Sequence, residues 1–267
     1  MLNEQLYSVR DVRGSEKIRR TYEKNTPGEV RQTGGAPSTI KSMSETNGCV
    51  RAFVFDLDGT LVDSKMDLVN SVNAMLRETG RAEQPAELVA SYVGHGAPRL
   101  IASVLGTGTD EQQRREALAI FLKHYGEQKL NLTRPYAGVM EALRALAGCP
   151  MAVLTNKPTQ LSVEILRGLE MTTFFQGIYG GDSFEKKKPD PSGALRIVKE
   201  MGVAPSEAAM VGDSDVDIQT ARNAGMVAVA VTYGFGQQNA EACPADIYVN
   251  TLTELIALTK TASGALR

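Results

Sequence analysis

From residue 134 onward, short apolar runs alternate with stretches of helical periodicity, and this alternation restricts the fold more than any other feature of the 267-residue chain. The runs are MAVLT (151–155), GIYGG (177–181), AAMVGD (208–213), MVAVAVTYG (226–234) and DIYV (246–249). Helical patterns fill 138–147, 158–169, 191–201, 215–224 and 251–260. A further run of the same kind, CVRAFVF (49–55), stands well ahead of the others. Near-continuous apolar runs are what strands covered on both faces require, and strands alternating with helices imply a parallel sheet. The chain is therefore expected to be α/β, with a doubly wound parallel sheet of Rossmann-like layout.

The stretch between the first run and the rest carries no strand pattern. Leu68, Val69, Val72, Met75 and Leu76 recur at helical spacing. Residues 86–93, 97–105 and 110–128 are also helix-like, with Leu118, Phe121, Leu122 and Tyr125 on one face of the last. Residues 64–134 are thus expected to form a small all-helical domain inserted after the first strand. Residues 49–63 and 135–267 would make the α/β core. Residues 1–48 are polar and lack sustained periodicity, so a disordered N-terminal extension is expected there; Met43, just ahead of the first strand, is an alternative start.

Several function classes can be set aside. A net charge of −2 does not suit a nucleic-acid binder, whose affinity needs a Lys/Arg excess. No apolar run approaches the ~18 residues of a membrane span, and the polar N-terminus has no signal-peptide core. Three widely spaced cysteines show no zinc spacing, and two histidines exclude a multi-histidine metal centre. These features lead us to expect a cytoplasmic protein with reduced thiols and neither a nucleic-acid nor a membrane partner.

Chemically useful groups gather at the ends of the expected strands. The first ends in Asp56-Leu57-Asp58-Gly59-Thr60, another in Thr155-Asn156, and a third in Gly212-Asp213-Ser214-Asp215-Val216-Asp217; Lys188-Pro189 precedes the helix at 191. Ligands of open α/β sheets bind beyond the carboxyl ends of the strands, so these segments would share one crevice. Asp56, Asp58, Asp213 and Asp217 together form a charge density that one lysine cannot balance. A hard divalent cation with oxygen ligands, Mg²⁺ above all, answers it. A lysine and a threonine hydroxyl suit phosphate oxygens. Residues i and i+2 of an extended segment point the same way, so Asp56 and Asp58 can flank one group. Gly59 lets the chain turn away sharply.

With these motifs in this order, the chain resembles the haloacid dehalogenase superfamily of phosphatases over about residues 50–260, on DLDGT (56–60), TN (155–156), KP (188–189) and GDSDVD (212–217). FDLDGTLVDS, VGHGAPRL, RPYAGV, TNKP and KKPDP look most like the phosphoglycolate phosphatases within it. The resemblance implies a Mg²⁺-dependent hydrolase of a small phosphate monoester, with 2-phosphoglycolate leading, and makes the helical insert a cap domain. It implies Asp56 as nucleophile and Asp58 as proton carrier, with Thr60 orienting Asp58. The Mg²⁺ ligands would be the Asp56 and Asp213 carboxylates and the Asp58 carbonyl. Thr155, Asn156 and Lys188 would bind the phosphoryl group, and Asp217 would support Lys188 or the metal shell. His95 or Arg99, at a turn of the cap, would read the substrate's other end. A phosphosugar mutase or a pyrophosphatase of the same superfamily remains an alternative, as does either a monomer or a homodimer.

Overall fold

The computed structural model describes residues 7–10, 16–19, 49–236 and 243–259. The chain divides into two units, Met1–Thr39 and Ile40–Arg267. In the first, β1 (Tyr7–Arg10) pairs antiparallel with β2 (Glu16–Arg19). The rest of 1–48, where a disordered extension is expected, lies outside the described residues.

In the second unit β3 (Ala52–Phe55) runs through a turn into β4 (Val62–Asp63). Four helices follow: α1 (Lys65–Glu78), α2 (Ala86–Ala90), α3 (Ala97–Leu105) and α4 (Glu111–Gln128). The chain returns through β5 (Arg134–Pro135) and α5 (Val139–Ala145). Then come β6 (Met151–Leu154), α6 (Thr159–Gly168), β7 (Gly177–Tyr179), α7 (Ser192–Glu200), β8 (Ala208–Gly212), α8 (Asp215–Ala224), β9 (Val227–Val231) and β10 (Ile247–Val249). The expected terminal helix is a 3-10 run, Leu252–Thr259.

The sheet has the order β10-β9-β8-β3-β6-β7, and every pairing in it is parallel. Alternation along each strand divides its side chains between two cores. Phe53, Phe55, Val153, Val211 and Val229 face one side, with Val72, Phe121, Tyr125 and Leu143 in the same cluster. Ala52, Val54, Ala152, Met210 and Ala228 face the other, against Ile197 of α7 and Ile218 of α8. All four residues of β3 are therefore buried, which is why the strand reads as an unbroken apolar run.

Two features pin the ends of the helical insert. β4 and β5 pair antiparallel, Val62 opposite Pro135 and Asp63 opposite Arg134. Two-residue strands carry no periodicity, so the sequence does not announce them. Beside them Asp67, buried in the first turn of α1, accepts hydrogen bonds from the Leu132 and Thr133 amides and the Thr133 hydroxyl at 2.8–3.1 Å. A buried carboxylate is tolerable only with such donors.

Candidate active site

β3 is central, with β6 and β8 as its neighbours, so the residues after these three strands are brought together. Asp56 follows β3, Thr155 follows β6 and Asp213 follows β8, and all three are buried. The Asp56 amide still donates to the Val211 carbonyl at 2.9 Å, which carries the ladder into the site. Asp217 sits in the first turn of α8, where Ser214 caps the helix. Lys188 is the buried member of the Lys186–Lys188 run. Its Nζ lies 2.9 Å from Asp56 Oδ1 and 2.6 Å from Asp217 Oδ1. The other Asp217 oxygen accepts from the Ser214 amide and hydroxyl, at 3.2 and 2.6 Å.

Carboxylate oxygens of Asp56, Asp213 and Asp217 lie within 4.8 Å of one another. Burial pushes the Asp56 carboxyl up to about 6; Lys188 opposes the rise, while Asp217 and Asp58 add to it. Asp213 is raised well above the ordinary carboxylate range by burial and then by Asp217 and Asp56, against the Gly236 amide that donates to it at 2.6 Å. Burial works against the charge on Lys188, but Asp217 and Asp56 outweigh it and hold the ammonium charged. Three carboxylates thus face one cation. Lys188 touches Asp56 Oδ1 as a charge, yet that buried oxygen accepts no aligned hydrogen bond. An excess of negative charge with an undonated oxygen fits a divalent cation with oxygen ligands. Asp217, with both oxygens already engaged by short bonds, fits a supporting place beside it.

Gly59 has φ +84°, and a Cβ there would overlap the Asp213 carboxylate, so a side chain is excluded as well as strained. Thr60 donates to Asp213 at 3.3 Å rather than orienting Asp58. Asp58 is held by others: Lys157 Nζ lies 2.9 Å from both its oxygens, and the Ser64 hydroxyl donates to it. Lys157 stands 4.4 Å from the ring centroid of Tyr125, on α4. Sequence reasoning missed Lys157 and Tyr125; the one signal was a lysine directly after Thr155-Asn156. Thr155 accepts from the Lys157 amide at 3.3 Å, and Asn156 ties Gly94 of the insert to Lys188 by donating to both carbonyls, at 2.9 and 3.1 Å.

Asp56, Asp58, Thr155, Asn156 and Lys157 line a cavity that is open in part to solvent. Its walls are largely apolar, from Leu68, Val93, Leu100, Phe121, Leu122 and Leu161. His95 and Arg99 are exposed and lie outside its lining.

Residues 53–231 match the model of the haloacid dehalogenase-like hydrolases, and the chain belongs to that family. It is thus an enzyme, a hydrolase, with the strand-end groups just described at the position where such sheets bind ligands. Among its relatives, a phosphoglycolate phosphatase of Pseudomonas savastanoi pv. phaseolicola is 41% identical over 212 residues, which cover 76% of this chain and 77% of that one. A phosphoglycolate phosphatase of Neisseria meningitidis is 39% identical over 193 residues, 70% of this chain and 82% of the relative. The crystal structure of a predicted phosphoglycolate phosphatase from Haemophilus somnus 129PT superposes with a TM-score of 0.73 at 31% identity, covering 79% of this chain and 98% of that one. Among the described residues no helix is long and apolar enough to cross a membrane.

Proposed function

We propose that this hydrolase is a Mg²⁺-dependent phosphatase that cleaves 2-phosphoglycolate to glycolate and phosphate through a phosphoryl group carried on Asp56. The observation that carries the reading is the meeting of Asp56, Thr155, Asp213 and Lys188 at three adjacent strand ends, with more carboxylate than cation among them. The substrate is supported by the names of the relatives.

In the first half-reaction the Asp56 carboxylate attacks phosphorus, the bond from phosphorus to the leaving oxygen breaks, and the Asp58 carboxyl gives that oxygen its proton. In the second, Asp58 takes a proton from water, the water oxygen attacks phosphorus, and the Asp56 carboxylate leaves. Splitting one displacement into two is the gain of covalent catalysis. A placed proton carrier adds roughly 10²–10⁴-fold. Thr155 and Lys188 would hold the transferring oxygens, and Asp217 with Ser214 keeps the Lys188 ammonium aimed at Asp56. The Asp56 and Asp213 carboxylates and the Asp58 carbonyl would hold the Mg²⁺. When bound, it offsets the repulsion between an anionic nucleophile and an anionic phosphate. The helical insert would act as the cap that excludes water.

The test is phosphate release from 2-phosphoglycolate, sugar phosphates, pyrophosphate and nucleotides, with Mg²⁺ or with chelator. We expect 2-phosphoglycolate to lead, chelation to stop turnover, and Asp56→Asn to lower kcat by at least ~10³-fold. Release that is indifferent to Asp56→Asn overturns the reading. Sugar-phosphate isomerisation without phosphate release would mark a mutase instead.

A further inference from the structure

A leaving group with a negative charge needs a cation that the phosphoryl site does not use. Lys188 is committed to Asp56 and Asp217, and His95 and Arg99 lie outside the cavity lining. Among the described residues that line the cavity, Lys157 is the one side-chain cation. Its side chain is 5% exposed, and both its anionic contacts are to the Asp58 carboxylate. Tyr125, which lines the same cavity beside Lys157, has a buried hydroxyl that makes no well-aligned hydrogen bond. Its ring carries Lys157 on its face, so the two groups are held as a unit. An ammonium and a hydroxyl stand together in a largely apolar wall, beside Asp58.

We propose, resting on the phosphatase reading above, that Lys157 and Tyr125 form the subsite for an anionic leaving group and set the preference for carboxylated phosphate esters over neutral ones. The carboxylate of 2-phosphoglycolate is borne by the carbon that carries the leaving oxygen. A cation in contact with the proton carrier is therefore within reach of that carboxylate. An ammonium has three donors. Turning the donor on Oδ2 from Asp58 to the substrate carboxylate frees that oxygen for the leaving oxygen, while Ser64 and the remaining Lys157 bond still hold Asp58 through Oδ1. Recognition of the anionic end and release of the proton carrier would then be one movement.

The test compares 2-phosphoglycolate with 2-hydroxyethyl phosphate, the same frame with an alcohol in place of the carboxylate. We expect the wild type to prefer the carboxylated ester. In Lys157→Met that preference, as a ratio of kcat/KM values, should fall roughly 10–100-fold, with a rise in KM specific to 2-phosphoglycolate. Tyr125→Phe, which keeps the ring and removes only the hydroxyl, should move the ratio the same way by about 3–10-fold. Lys157→Arg should restore part of the preference. A wild-type preference that survives in Lys157→Met, with both substrates slowed alike, overturns the inference and confines Lys157 to holding Asp58. A wild type with no preference at all overturns the 2-phosphoglycolate reading itself, and the subsite with it. Tyr125→Phe reports on the subsite even if Lys157→Met fails to fold.

Discussion

Asp56 and Asp58 are two residues apart, yet their surroundings separate them. Asp56 faces other carboxylates and Lys188; Asp58 faces Lys157 and Ser64. The contrast gives Asp56 a stability signature. Its carboxyl titrates near 6 in the fold against an ordinary value of 3.8, so the folded protein binds that proton more tightly than the unfolded chain. The stability this proton provides is complete below about pH 4 and lost as the pH rises through about 6. Asp56→Asn fixes the uncharged form. We expect it to raise the Tm of the metal-free protein at pH 7 by roughly 3–8 °C and to flatten the Tm–pH curve between about pH 4 and 7, while activity is lost. Thermal melts across that range check it; an unchanged or lower Tm at pH 7 contradicts the picture. At this scale the sequence shows Asp56, Asp58 and Asp213 clearly, because they stand at the ends of apolar runs, while Lys188 is singled out from the Lys186–Lys188 run only by the Pro189 that follows it. It does not show what each side chain touches. Thr60 stands two residues from Asp58 but bonds to Asp213, 153 positions away in the chain. Lys157 reaches Asp58 across 99 positions. Such pairings are set by which strands lie side by side, and no local pattern encodes them.

At the scale of elements, the insert is fastened at its neck. β4 and β5 share only two residue pairs, and Asp67 adds a buried carboxylate with four donor contacts from Leu132 and Thr133. Asp67→Ala leaves those donors unpaired, two of them on the fully buried Thr133. We expect a loss of roughly 2–4 kcal/mol in urea unfolding, while Asp63→Ala, exposed in β4, should cost under about 0.5 kcal/mol. Equal effects would remove Asp67 from its place as the fastener. Helices α1, α3 and α4 are legible as periodicity because each buries one apolar face, and the central strands are legible as unbroken apolar runs because they are buried on both faces. The neck is not, since two-residue strands have no period and Asp67 reads as an ordinary first-turn acid. The last element differs for a related reason: residues 251–260 have helical periodicity, but over so short a run it does not separate an α-helix from the 3-10 form the chain adopts.

At the scale of the whole molecule, the parallel sheet does two things at once. Its alternating side chains divide into two cores that bury both faces, and its central strands end together, so that buried carboxylates meet without being neighbours in sequence. The fold thereby accepts a local electrostatic cost that a cation would relieve. Saturating Mg²⁺ should raise the wild-type Tm at pH 7 by roughly 5–10 °C at about 100 times its Kd, and Asp213→Asn should remove most of that gain. A Tm indifferent to Mg²⁺ would place the cation elsewhere or exclude it.

The covalent step is the centre of the proposed chemistry, and it can be seen directly. Wild-type protein and Asp56→Asn are mixed with labelled 2-phosphoglycolate and Mg²⁺, quenched in acid within one turnover, and read by intact mass and peptide mapping. We expect one phosphoryl group on Asp56 of the wild type, formed no later than glycolate is released, and none on Asp56→Asn. Glycolate released at full rate with no label on the protein, or a label on any other residue, would contradict it.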